Sequence, residues 1–146
     1  MRRLLLLAAL IWMPFVLIFV FAAQGDTSFW HISFHLVALA LMGWACVIVW
    51  AERRDAAHKV RRVLAGSLSI VVPLAVVGHL LELAATLVRL AEEGWVSRDT
   101  ADLWERGPHL WASNLTIPAM MLSMIVVLVL VVATAVQERR GVLTPR

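Results

Sequence analysis

The stretch GPHLWASNLTIPAMMLSMIVVLVLVVATAVQ, residues 107–137, runs for 31 positions without a charged side chain. Three further uncharged runs precede it along the chain, at residues 4–25, 27–51 and 63–81. A helix needs roughly 20 predominantly apolar residues to cross a bilayer. The runs therefore predict four membrane spans, at about residues 3–23, 30–51, 63–88 and 114–137.

The composition places the whole chain in the same class. Of its 146 residues, 62% are hydrophobic and 16% are charged, and the mean hydropathy is +0.85. These values exclude a soluble enzyme, a nucleic-acid-binding domain and a disordered chain. The runs are too long and continuous for barrel strands, so the spans must be helices. We predict an all-α integral membrane protein, a four-helix transmembrane bundle in which residues 1–146 form a single domain.

Basic residues are segregated along the chain, and this segregation predicts the orientation. Ten of the thirteen lie before span one, between spans two and three, or after span four. Positive residues near span ends stay on the cytoplasmic side. We therefore predict that both termini lie inside, in the inner (plasma) membrane of a prokaryote-like cell. The segment from Glu52 to Arg62 is interpreted as a solvated basic turn on the inner side.

Two segments allow more than one interpretation. The apolar stretch at residues 4–23 is long enough to span, so we expect an uncleaved helix rather than a signal peptide. The outer connection, residues 89–113, contains a short helix from Ser97 or Asp99 to about Arg106, which we expect to lie on the membrane surface. The alternative for that segment is a solvated loop with interfacial anchors.

The single cysteine, Cys46, excludes the four-span thiol-oxidising membrane enzymes, because these need pairs of cysteines. Its expected role is that of a small apolar core residue. Whether the protein is an enzyme is not decided by any motif in the chain.

Four ionisable side chains are predicted to share one depth in the bundle. Spans two and three form a hairpin centred near residue 57, and His35 and His79 are equally far from that centre along the chain. Glu82 and His31 differ by a single position in their distance from it. Their depths therefore also match, since a helix rises by only about 1.5 Å per residue. Both pairs have helical spacing, i,i+4 and i,i+3, and each lies on one helix face.

This cluster indicates a metal site, with His31, His35, His79 and Glu82 as the predicted ligands. Imidazole and carboxylate suit Cu, Zn or Fe, and an ionisable group within a membrane helix marks a functional site by default. His109 precedes span four, where we expect it to be exposed or interfacial. A fifth ligand to the cluster is the alternative role for His109.

Haem b is the competing cofactor. Bis-imidazole ligation needs two histidines on facing helices, which His35 and His79 provide. Met120 and Met124 on span four offer a diagonal axial ligand for His35, although ordinary core packing is the simpler role for both methionines. We rank haem behind a simple metal ion, because His35 and His79 lie on sequential helices and Glu82 would face the propionates.

The sequence thus predicts a small membrane subunit with an outward-facing His/Glu site for a transition-metal ion or haem, with membrane electron transfer as one role for it. The alternative is a cofactor-free structural or assembly subunit of a larger membrane complex. Under either hypothesis the expected partners are the lipid bilayer and either other membrane subunits or further copies of the chain.

Overall fold

The computed structural model describes residues 1–22, 28–94 and 107–141, and the ordered elements in these ranges are all helices. They are α1 (Arg2–Ala22), α2 (Ser28–Asp55), α3 (Lys59–Glu93) and α4 (Gly107–Arg139). All four are long and apolar enough to cross a membrane. The prediction of four long apolar helices is therefore confirmed, whereas their orientation in a membrane stays a prediction.

The helices form a bundle in which α1 packs on α2, α2 on α3, α3 on α4 and α4 on α1. Residues 56–58 connect α2 to α3, so the hairpin centre near residue 57 is confirmed. Helix α1 is the least enclosed, since 28% of its most apolar 18-residue segment is buried inside the bundle, against 39% in each of the other helices. This agrees with the absence of a stripe of small and polar residues on span one.

A buried carboxylate joins α1, α2 and α3 at the end of the bundle that carries the 56–58 turn. Glu52 is only 1% exposed, and its carboxylate accepts hydrogen bonds from Arg3 and from Arg61, whose Nε lies 3.2 Å away. Arg3 also donates to Asp55 at 2.7 Å. The interpretation of this turn as wholly solvated was wrong for Glu52, because α2 continues one full turn beyond the predicted span.

Helix α4 begins seven residues before the predicted span four. Gly107, with φ +69°, and Pro108 start this helix. Proline suits the first turn of a helix because its missing N–H has no partner there. The predicted surface helix from residue 97 to 106 lies outside the described residues.

Candidate metal centre

Three helices bring five ionisable side chains together near the end of the bundle opposite the arginine-rich turn. Helix α2 supplies His31 and His35 from one face, and α3 supplies His79 and Glu82. Helix α4 supplies His109 from its first turn. All five are at most 4% exposed. The cluster therefore fills the interior between α2, α3 and α4.

Four atoms of this cluster that could each donate a lone pair to a metal form a closed ring. His31 Nε2 lies 2.9 Å from His109 Nε2 and 3.1 Å from His35 Nε2. Glu82 Oε2 lies 3.3 Å from His109 Nε2 and 3.8 Å from His35 Nε2. We call these four side chains, His31, His35, His109 and Glu82, the donor ring.

These separations match the spacing of ligand atoms around one small cation. With imidazole–metal bonds of about 2.0–2.1 Å, two ligand atoms of a tetrahedral site lie about 3.3 Å apart. The four edges of the donor ring, 2.9, 3.1, 3.3 and 3.8 Å, bracket that value. Ligand atoms of His31, His35 and His109 all lie within 4.8 Å of one another, and Glu82 has the same relation to His35 and His79.

Hydrogen bonds alone do not give each contact of the donor ring both a donor and an acceptor. A ring nitrogen of a neutral histidine carries either one proton or one in-plane lone pair, so it makes one good hydrogen bond. His31 Nε2 has two ring nitrogens within 3.1 Å. Since one proton or one lone pair cannot serve both contacts fully, at most one of the two is a good hydrogen bond.

His79 attaches to this ring from outside, through the other nitrogen of His35. The two Nδ1 atoms lie 3.1 Å apart, so the predicted meeting of His35 and His79 across the hairpin is confirmed. A histidine that binds a metal through one nitrogen commonly donates a hydrogen bond from the other. His79, Glu82 and His35 also form a second group with metal-ligand spacing, so a ligand role for His79 stays a prediction.

The prediction that His109 is exposed or interfacial was wrong. Its side chain is 4% exposed and lies against both His31 and Glu82. The signal that could have revealed it is Pro108, because a helix starting at Gly107 turns residue 109 into the bundle. The structure favours the alternative, in which His109 is a fifth residue of the cluster.

Helices α3 and α4 approach each other closely beside the cluster. A Cβ atom built on Gly78 would clash with Thr116 Oγ1 and would lie 2.9 Å from Thr116 Cα. Glycine at this position therefore allows the backbone contact that carries Glu82, one turn further along α3, towards His109.

His35 and His79, the predicted bis-imidazole pair for haem, contact each other directly, and the choice between haem and a metal ion stays a prediction. Two axial nitrogens on opposite faces of a porphyrin are about 4 Å apart at metal–nitrogen bonds near 2 Å, whereas these Nδ1 atoms are 3.1 Å apart. Met120 and Met124 lie in the apolar core of the bundle, as expected for ordinary packing. Their role as haem ligands stays a prediction.

Comparisons of the chain with protein-family models, curated proteins and solved structures find no match. The interpretation of the cluster therefore rests on its own geometry and chemistry.

Proposed function

We propose that this protein is a small integral membrane subunit that binds one transition-metal ion in the interior of its helix bundle, through His31, His35, His109 and Glu82. The observation that carries the proposal is the donor ring, in which four buried ligand atoms from three helices are spaced as around one cation. By the distribution of basic residues, this site faces the outer side of the membrane.

The charges of the cluster support the same conclusion. Glu82 is 3% exposed and is flanked along α3 by leucines, and a carboxylate without a compensating charge inside a membrane is costly. A divalent cation offsets that charge, and neutral imidazoles supply three more ligands without adding charge. Three nitrogens and one oxygen suit Cu, Zn or Fe rather than Ca or Mg.

Electron transfer is the role that we propose if the ion is copper or iron, because zinc has no redox chemistry. Optical and paramagnetic-resonance spectra of the purified protein separate these cases. A Soret band would instead favour haem, and a colourless protein with stoichiometric metal would favour zinc.

The proposal is tested by metal content and affinity in purified, chelator-stripped protein reloaded with Cu, Zn or Fe. We expect about one ion per chain, and we expect His109→Gln and Glu82→Gln to weaken binding by more than ~100-fold, since loss of a ligand should exceed the 10–100-fold typical of an outer-shell residue. His58→Gln is the matched control, because His58 precedes α3 at the opposite end of the bundle. Substoichiometric metal, or equal effects of His58→Gln and His109→Gln, would refute the site.

Stability measurements distinguish the metal site from a structural polar cluster, the role expected in a cofactor-free assembly subunit. That alternative is favoured by the hydrogen bonds that the rings make to one another. A metal at 100 times its Kd stabilises the folded state by about 2.7 kcal/mol. Glu82→Gln should therefore lower thermal stability in metal-replete detergent and have a much smaller effect with chelator. Equal losses in both conditions would indicate a structural contact only.

A further inference from the structure

A cavity of about 260 Å³ lies beside the donor ring, between α1, α3 and α4, with one side chain of α2 on its wall. Its lining is apolar except at three residues, His79, Glu82 and Thr116. The aromatic rings of Phe15, Phe19 and Phe34 supply much of the apolar wall. The cavity is therefore a mostly hydrophobic chamber with a small polar patch, which is the general character of a small-molecule site.

Within the described part of the chain, two buried atoms of this polar patch have no hydrogen-bond partner. They are His79 Nε2 and Glu82 Oε1, and both side chains are at most 3% exposed. The hydroxyl of Thr116, which also lines the cavity, donates to Ala112 O at 3.0 Å and lies beside the Glu82 carboxylate. Buried polar atoms without partners are rare in native proteins, so these two indicate a ligand with polar groups of its own.

The cavity opens on the lipid-facing surface of the bundle. Phe19, Ile117 and Met121 line it and are each more than half exposed. These side chains lie on α1 and α4, so the mouth lies where those two helices meet the bilayer. A molecule could enter from the hydrocarbon region and leave an apolar tail there.

We propose that this cavity binds the head group of a lipid-soluble quinone or quinol, in which His79 Nε2 pairs with a ring oxygen and Glu82 Oε1 accepts a hydrogen bond from a hydroxyl of the reduced, quinol form. A cavity of about 150 Å³ is sufficient for one benzene ring, so the present one accommodates a substituted ring. Aromatic walls favour a flat ring, the two polar atoms favour ring oxygens, and the lipid-facing mouth favours an isoprenoid tail. A plain acyl chain would leave both polar atoms without partners.

The cavity and the donor ring share Glu82, and His79 in the cavity wall contacts His35 of the ring; the following step rests on the proposed metal site. When His35 binds a cation through Nε2, its Nδ1 carries the proton and donates to His79 Nδ1. His79 then holds its own proton on Nε2, which makes that atom a donor to a quinone carbonyl.

The test measures saturable quenching of tryptophan fluorescence by decylubiquinone in nanodiscs, with decylbenzene as a competitor that lacks oxygen atoms. We expect Met121→Phe to narrow the mouth and weaken quinone binding by at least tenfold. Leu122→Phe is the matched control, because it is similarly exposed on α4 but does not line the cavity. His79→Phe should weaken quinone binding by about tenfold, the usual effect of losing a partner to a polar group.

Each outcome supports or overturns the quinone proposal. Equal binding of Leu122→Phe and Met121→Phe, or decylbenzene that competes as well as the quinone itself, would overturn it. Metal content is measured on the same samples, and Met121→Phe should leave it unchanged. Stoichiometric metal without saturable quinone binding would refute the cavity proposal and leave the metal site standing. Saturable quinone binding by protein that holds no metal would refute the metal site and leave the cavity proposal standing.

Discussion

Replacement of Gly78 by alanine tests the close contact that holds α3 against α4. The added Cβ would lie 2.9 Å from Thr116 Cα, whereas carbon atoms in ordinary contact are about 3.5–4.0 Å apart. The two backbones must therefore separate locally by about 0.6 Å or more. Rotation of Thr116 does not relieve this, because Cα does not move with the side chain and a β-branched residue has few alternative rotamers.

The magnitude follows from two opposing terms. Overpacking of a well-packed interior costs about 1–3 kcal/mol, and we expect the upper half of this range because the obstructing atom is backbone. Alanine in place of a helical glycine gains up to about 1 kcal/mol. The net expectation for Gly78→Ala is a loss of about 1–2 kcal/mol in the free energy of unfolding.

Gly66→Ala and Gly43→Ala are matched controls, because a Cβ at either position meets nothing within 4 Å. The controls gain the same helix propensity from alanine. The difference in unfolding free energy between Gly78→Ala and the controls therefore isolates the cost of overpacking. The assay is reversible unfolding in mixed micelles with increasing SDS, followed by far-UV circular dichroism. Gly78→Ala protein as stable as Gly66→Ala protein would refute the reasoning.

The same substitution bears on the metal site. A separation of α3 from α4 lengthens the 3.3 Å contact between Glu82 Oε2 and His109 Nε2, and ligand distances tolerate only about 0.2 Å. Gly78→Ala should then lower metal affinity, whereas Gly66→Ala should not.

The remaining predictions concern the arginine-rich end and the orientation. Glu52→Gln should destabilise the bundle by about 2–3 kcal/mol, measured by the same SDS titration, because it removes a buried charge that Arg3 and Arg61 contact. Asp55→Asn, at an exposed carboxylate, should cost less than about 1 kcal/mol, and equal effects would contradict the role assigned to Glu52. A reporter fused after the C-terminal residue should read cytoplasmic and one placed near Glu93 external; a cytoplasmic signal at Glu93 would reverse the orientation.

Much of the fold could be predicted because it depends on local properties of the chain. Uncharged runs of about 20 residues must cross a membrane as helices, since lipid cannot satisfy an open backbone. The meeting of His35 and His79 was also predictable. A short turn joins their helices, and the constant rise per residue of an α-helix then determines which positions share a depth.

The composition of the cluster was decided by tertiary structure. His109 belongs to α4, whose depth relative to α2 depends on the start of α4 at Gly107 and on its packing against α3. The rotation of each helix decided which nitrogen each imidazole presents to its neighbours. His79 therefore contacts Nδ1 of His35, the nitrogen that does not belong to the donor ring. The same rotation and the extra turn of α2 buried Glu52 between two arginines. Sequence determines depth along a connected hairpin, but the rotation of each helix and the placement of a distant one are set only when side chains pack.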